Sequence, residues 1–166
     1  MDQKIFFNPE RCLSCLSCVL ACQMNFLGIR EATEISPGQR PLRRMAHRFD
    51  RGTPWVSRCQ HCISAPCVEA CVTGSLVRRE GQTAIIHQRE SCVGCGSCLL
   101  VCPYANLTYD ETEERMVKCN LCFEENVPPC VRACQSKALE FTKPNLFAWN
   151  KKKKFVKDVR RLREGV

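Results

Sequence analysis

The chain has 166 residues, a formal net charge of +8 and sixteen cysteines, almost a tenth of its length, which allows one domain or two small ones. Cysteine aside, little over a third of it is apolar, too thin for an ordinary packed core. The opening MDQKIFFNPERC lacks the pattern of a secretory leader and no apolar run nears the length of a membrane span, so a cytoplasmic setting is expected, where thiols stay reduced and a disulfide scaffold is disfavoured.

In chain order, Ile5–Phe7 reads as a lone short strand running into CLSCLSCVLAC, which holds Cys12, Cys15, Cys18 and Cys22. Residues 23–58 read as a connector, rich in Arg30, Arg40, Arg43, Arg44, Arg48, Arg51 and Arg58 against Glu31, Glu34 and Asp50. It is expected to cover a centre or form part of an interface, with core packing the default for Trp55. A second group follows at Cys59, Cys62, Cys67 and Cys71, then a hairpin in LVRREGQTAII turning at Gly81. The third group is Cys92, Cys95, Cys98 and Cys102, followed by Pro103. LTYDETEERMVK then gives a second hairpin with a polar tip, the fourth group is Cys119, Cys122, Cys130 and Cys134, and Leu139–Phe141 reads as another lone strand. The tail of each group suits one or two helical turns. Residues 151–166 carry eight basic and two acidic side chains, with Phe155, Val156, Val159 and Leu162 on one helical face.

The sequence therefore repeats itself. Every group opens with C-x2-C and closes with C-x3-C; groups one and three are C-x2-C-x2-C-x3-C, while two and four widen the middle gap. CVTGSL, CPYANL and CQSKAL each run from a last cysteine through four residues to a leucine. A structural zinc site usually joins two C-x2-C knuckles across a dozen or more residues, which groups one and three do not resemble. Three thiols at i, i+3 and i+6 wrap three corners of one cubane, and the fourth already points elsewhere. This is the bacterial ferredoxin run, in which the fourth cysteine ligates the other cluster. Sixteen ligands at four per cubane predict four [4Fe–4S] clusters, with folding coupled to their insertion. The expected fold is α+β: two ferredoxin-like units of short strands and helices, plus a basic C-terminal helix.

On RCQHCISAPCVEACVTGSL (58–76), SCVGCGSCLLVCPY (91–104) and the other two groups, residues 3–142 resemble the four-cluster iron–sulfur subunits of dimethyl sulfoxide reductase type molybdenum or tungsten oxidoreductases. Similar subunits serve formate dehydrogenases, formate-linked hydrogenases, carbon monoxide dehydrogenase and tungsten aldehyde oxidoreductases. The resemblance implies crossed ligation. Cys12, Cys15, Cys18 and Cys134 would hold cluster 1, and Cys119, Cys122, Cys130 and Cys22 cluster 2. Cys59, Cys62, Cys67 and Cys102 would hold cluster 3, and Cys92, Cys95, Cys98 and Cys71 cluster 4. It further implies a pseudo-twofold pair of units, 1–22 with 119–142 and 59–118, around the connector 23–58 and with an extension at 143–166. The pattern departs from the family where Gln23, Val72 and Gln135, not proline, follow a last cysteine. Without the long insertions of larger relatives, the resemblance implies a compact soluble subunit with no anchoring helix, like the partners of carbon monoxide dehydrogenase and aldehyde oxidoreductase.

The implied role is non-catalytic electron transfer between the active-site subunit of such a redox complex and a ferredoxin, hydrogenase or flavin subunit. No nucleophile–base pair, phosphate loop or dinucleotide fingerprint stands in the sequence, and no group lacks a cysteine as an open iron site would require. His61 is expected to hydrogen-bond near a cluster or meet a partner rather than ligate; His47 and His87 have no ligand company. The basic tail reads as a solvated helix or a docking helix for an acidic partner, with a membrane-surface role weaker. The alternative for the whole chain is a zinc-bound nucleic-acid-binding module using that tail, although no base-reading or stacking side chains accompany the charge.

Overall fold

The computed structural model describes residues 3–36, 44–78 and 80–164; Arg40 and Arg43 of the connector lie outside them. Among the described residues there are four antiparallel two-stranded ladders, five α-helices and three single 3-10 turns. The two strands expected to stand alone are partners: β1 (Lys4–Phe7) pairs with β8 (Leu139–Thr142), Lys4 opposite Thr142 and Phe7 opposite Leu139. The Asn8 N–H extends the ladder to the Ala138 carbonyl at 2.8 Å. Isolated pairs of short strands are marginal in water, so this one is sustained by what it packs on.

Both expected hairpins form, β4 (Leu76–Arg78) with β5 (Ile85–His87) and β6 (Leu107–Asp110) with β7 (Arg115–Lys118). A third lies where the sequence suggested only a connector: β2 (Met45–Asp50) with β3 (Thr53–Arg58). Arg51 and Gly52, both at positive φ, make the two-residue turn whose twist matches the strands. The hairpin turns Met45 and Val56 into the core, whereas Trp55 stands 58% exposed opposite Arg48, contrary to the core packing expected of it.

The helices after the cysteine loops are unequal. α1 (Ser17–Leu27) runs about three turns, longer than expected, until Gly28 at φ +70 closes it with an N–H to the Met24 carbonyl. α2 (Pro66–Glu69), α3 (Ser97–Leu100) and α4 (Pro129–Arg132) are single turns, α2 and α4 begun by a proline whose missing N–H costs nothing there. α1 packs against α4, and α2 against α3. α5 (Pro144–Glu164) starts earlier than the basic run and stacks Phe147 on Phe6, ring centroids 4.1 Å apart.

Two apolar cores result. One gathers Ile5, Met45, Val56, Ile86, Leu121 and Leu139; the other gathers Leu76, Ile85, Leu107 and Met116. Ile85 and Ile86, adjacent on β5, serve opposite cores because successive strand residues face opposite ways. Cysteines complete both: Cys22 and Cys130 in the first, Cys98 in the second.

Candidate metal centres

The repeat in the sequence is a repeat in backbone geometry. The residue just before each second cysteine takes the left-handed conformation: Ser14, His61, Gly94 and Leu121 have φ of 54°, 47°, 69° and 63°. Such a residue reverses the chain tightly enough for both thiols of a C-x2-C loop to face one space. Groups one and three match further, since Leu16 and Gly96 are also left-handed and begin α1 and α3. Non-glycine residues adopt this region at a cost, so Ser14, Leu16, His61 and Leu121 mark loops whose shape is imposed. The third residue after a last cysteine repeats it: Gly74, Ala105 and Lys137 donate N–H bonds to the carbonyls of Cys71, Cys102 and Cys134 at 3.0, 3.1 and 3.0 Å. Those turns deliver the buried leucines that open β4, β6 and β8. Group one departs, because α1 continues through Cys22.

The thiols sense one another across these groups. Burial, then Cys134, Cys12 and Cys15, push Cys18 up to about 11. Burial, then Cys119, Cys122 and Cys18, push Cys22 up to about 12 against the pull of Arg44. Cys130 is raised by burial and by Cys119, Cys22 and Cys122. Burial raises Cys98 to about 11, with Cys71, Cys67 and Cys92 adding to it, and raises Cys67, with Cys102 and Cys62 adding. Cys59 is raised by burial, with Cys119 and Cys67 among its neighbours. Cys71 is different: burial works upward, yet hydrogen bonds from Ser75, Leu76 and Thr73 bring it to about 7. Ser17 and Ser97 likewise hold Cys15 and Cys95 low through their hydroxyls.

Two cavities make the fit to a thiolate-bound group explicit. One is lined by Cys22, Cys119, Cys122 and Cys130 together with Arg44 and Met45. The other is lined by Cys71, Cys92, Cys95 and Cys98 together with Ser75 and His87. Among the described residues the Nε2 of His87, on that second wall, is buried with no hydrogen-bond partner, so a group held by these thiols would give it one. Backbone N–H groups already aim at sulfur, Leu121 at Cys119 (3.3 Å) and Ala138 and Leu139 at Cys134 (3.2 and 3.4 Å). Sixteen thiolates form a soft, uniform donor set that suits iron–sulfur clusters. Among the described residues no three His, Cys, Asp or Glu side chains close on a single-ion site.

Buried and half-buried charges stand beside these groups: Arg44 and Arg58, which the sequence offered only as part of a connector expected to cover a centre or form an interface, and Lys118, which it did not single out. Lys118 is 3% exposed and donates to the carbonyls of Ile85 (2.5 Å) and Cys119 (2.6 Å). Arg58, 5% exposed, donates to the Cys59 carbonyl at 3.1 Å. Arg44 lies with its guanidinium 4.0 Å from the Phe26 ring centre and faces Cys22, Cys119 and Cys122. The signal was available: Arg58 and Lys118 immediately precede the first cysteines of groups two and four. His61 is 2% exposed, and its Nδ1 accepts the Ile85 N–H at 2.9 Å. Burial and the nearby Lys118 hold the ring well below its usual pKa and therefore neutral, which leaves Nε2 to carry the proton. The structure also gives His87, assigned nothing in the sequence, a place at a cysteine cavity; burial and Lys118 bring it to about 4.

The same cysteine-rich architecture occurs in known proteins. Residues 53–144 match the family described as a 4Fe–4S dicluster domain. An iron–sulfur protein of Rhodospirillum rubrum is 37% identical across 81% of this chain and 79% of its own length. The B subunit of the anaerobic dimethyl sulfoxide reductase of Haemophilus influenzae is 31% identical across 82% of this chain and 71% of its own. Protein NrfC of Escherichia coli K12 is 34% identical across 78% of this chain and 60% of its own. No described helix is long and apolar enough to cross a membrane. With sixteen thiols, the ligand complement of four cubanes, set on ferredoxin-like loops, the chain belongs to the 4Fe–4S dicluster iron–sulfur family and is an iron–sulfur electron-transfer protein.

Proposed function

We propose that the chain is the non-catalytic wire of a redox enzyme complex and holds four clusters in the crossed pattern. Cys12, Cys15, Cys18 and Cys134 hold cluster 1, and Cys22, Cys119, Cys122 and Cys130 hold cluster 2. Cys59, Cys62, Cys67 and Cys102 hold cluster 3, and Cys71, Cys92, Cys95 and Cys98 hold cluster 4. When bound, each cubane accepts and releases one electron without changing its ligands. The thiol neighbourhoods support this grouping and also an order: Cys22 lies near Cys18, Cys59 near Cys119, and Cys98 near Cys67. The path then runs 1–2–3–4. The protein's part is to fix the thiolates, exclude water from the middle of the path, and set the potentials by charge and N–H donors.

By analogy with the dimethyl sulfoxide reductase subunit, one end serves a catalytic redox subunit of molybdenum or tungsten, carbon monoxide dehydrogenase or hydrogenase type. The other end serves a ferredoxin or flavin subunit. The pseudo-twofold pairing of residues 1–22 and 119–142 with residues 59–118 belongs to the same proposal, and the pairing of α1 with α4 and of α2 with α3 supports it.

One observation carries the reading: Cys22, fourth of its group, has Cys119 and Cys122 as its foremost thiol neighbours. Cys22→Ala tests it. Iron analysis and low-temperature electron paramagnetic resonance should show damage at cluster 2 with cluster 1 retained; loss of cluster 1 instead refutes the crossing. The zinc alternative fails if the protein is brown and carries about sixteen irons, four per cubane.

A further inference from the structure

The proposed path has two exposed ends, and charge separates them. Of the sixteen cysteines only Cys15 and Cys95 are exposed, one at cluster 1 and one at cluster 4. Each has exposed apolar neighbours, Leu13 and Leu16 at the first, Val93 and Leu100 at the second. The cluster 4 end lies under an acidic turn. Gly94 abuts the Glu114 carbonyl, and the β6–β7 turn carries Asp110, Glu111, Glu113 and Glu114. Arg89 is the cation paired there, with Asp110 at 3.1 Å and Glu113 at 2.5 Å.

The cluster 1 end is basic. The single turn Pro9–Arg11, which leads directly into Cys12, is bound to α5 by the Lys154–Glu10 ion pair at 2.7 Å. The Phe6–Phe147 stack fixes the start of α5 on the same side. A groove between them sets five cations, Arg11, Lys151, Lys153, Lys154 and Lys157, against Glu10, Glu140 and Asp158, with Arg11 paired to Glu140 at 3.0 Å. Beyond it Lys152, Arg160, Arg161 and Arg163 stand exposed, and Asp158 is the one acidic side chain described along residues 151–163. So large an excess of positive charge on one helix raises the local concentration of anionic partners and speeds their encounter, an effect that fades with salt.

We propose that this end of the molecule docks a dissociable, acidic one-electron carrier protein, steered by α5 and received on Leu13 and Leu16 beside Cys15. The inference rests on the ligation proposed above, which makes Cys15 a ligand of the terminal cluster. One electron passes between the carrier's centre and cluster 1; one is oxidised as the other is reduced, and no proton or group moves. A lasting union with a large catalytic subunit calls instead for an interface depleted of charge at its middle. Nucleic acid or an anionic lipid surface would also meet positive charge, but neither accounts for an apolar contact spot beside an exposed ligand.

The test is stopped-flow mixing of the cluster-loaded full chain with a reduced acidic [2Fe–2S] ferredoxin, at low and high salt. The comparison is with a variant bearing Lys152→Gln, Lys157→Gln, Arg160→Gln and Arg161→Gln, all at exposed positions. The parent rate should fall at least tenfold as salt rises. The variant should be at least tenfold slower than the parent at low salt, and its rate should fall less steeply as salt rises. A neutral photoreduced flavin should reduce both proteins equally. Iron content and spectra taken first separate the two levels: a chain without clusters defeats the proposed function, whereas a loaded variant reacting as fast as the parent overturns the docking site. An equal slowing toward a basic cytochrome would overturn it as well. So would loss of binding to phosphatidylserine vesicles or duplex DNA with the ferredoxin rate unchanged.

Discussion

Replacing Lys118 with methionine should lower the potentials of two clusters and leave the other two in place. The ammonium is 2.6 Å from the Cys119 carbonyl oxygen, and covalent geometry keeps that oxygen within about 5 Å of its own residue's sulfur. The charge therefore lies within about 8 Å of a proposed ligand of cluster 2. At an effective dielectric constant of about 20, a unit charge at that distance is worth about 2 kcal/mol to an added electron. At about 1.4 kcal/mol, or 59 mV, per tenfold change for one electron, this corresponds to a fall of roughly 90 mV. Cluster 3 should move in the same direction, because Lys118 also pulls on Cys59 and Cys67. The sign follows from charge: a cation favours the more negative, reduced state, and removing it makes reduction harder. Redox titration followed by electron paramagnetic resonance reads each centre. Lys118→Met also leaves two buried carbonyls unpaired, at about 1–3 kcal/mol each, so Lys118→Arg is the control for charge without the methionine's loss. Equal shifts at all four clusters, or a fall in Lys118→Arg as large as in Lys118→Met, would refute the local electrostatic account.

Two further outcomes are expected. Gly94→Ala should disrupt the third cysteine loop, since the new Cβ would strike the Glu114 carbonyl while a positive φ is also required; Gly96→Ala meets open space and should lose only about 1 kcal/mol from its conformation. Chemical denaturation and cluster absorbance distinguish the two variants, and equal behaviour would contradict the close contact. Removing iron with an oxidant and a chelator should abolish cooperative unfolding monitored by circular dichroism, because Cys22, Cys98 and Cys130 are core residues as well as proposed ligands; an apoprotein that still unfolds in one sharp transition would show that the apolar cores suffice.

What the sequence made legible was whatever repeats. The four groups, the hairpins after groups two and three, and the run from a last cysteine to a leucine were readable because one spacing recurs, and every copy shares the left-handed residue before its second cysteine. The β1–β8 pairing was not, since nothing in KIFF or LEFT names a partner more than a hundred residues away; it exists because Ile5 and Leu139 share a core. The β2–β3 hairpin was hidden by its arginines. A charged stretch reads as surface, yet Arg44 and Arg58 point at thiols, and Met45 and Val56 supply the apolar face between them. Trp55 misled for the converse reason: a large aromatic suggests burial, but it alternates with Val56 on the outward side of β3.

The buried cations and the thin core belong to one solution. A protein with so few apolar residues cannot enclose its interior with aliphatic side chains, and cysteines occupy places that leucine or valine would fill elsewhere. A ligand thiol that must ionise in such a place is penalised by burial and by its neighbours, as Cys18, Cys22 and Cys122 show. Arg44 is drawn to Cys22, Cys119 and Cys122 in return, Arg58 to Cys119, Cys130 and Cys59, and Lys118 offsets the burial of Cys59 and Cys67. Arg58 and Lys118 stand between the thiols proposed for clusters 2 and 3, the innermost step of the proposed path, and Arg44 faces the thiols proposed for cluster 2. Cys15 and Cys95, proposed ligands of the two end clusters, are exposed and have serine hydroxyls at hand instead. Interior positive charge should therefore set the middle pair at higher potential than the ends, so that an electron entering from either side settles in the protected centre before it leaves.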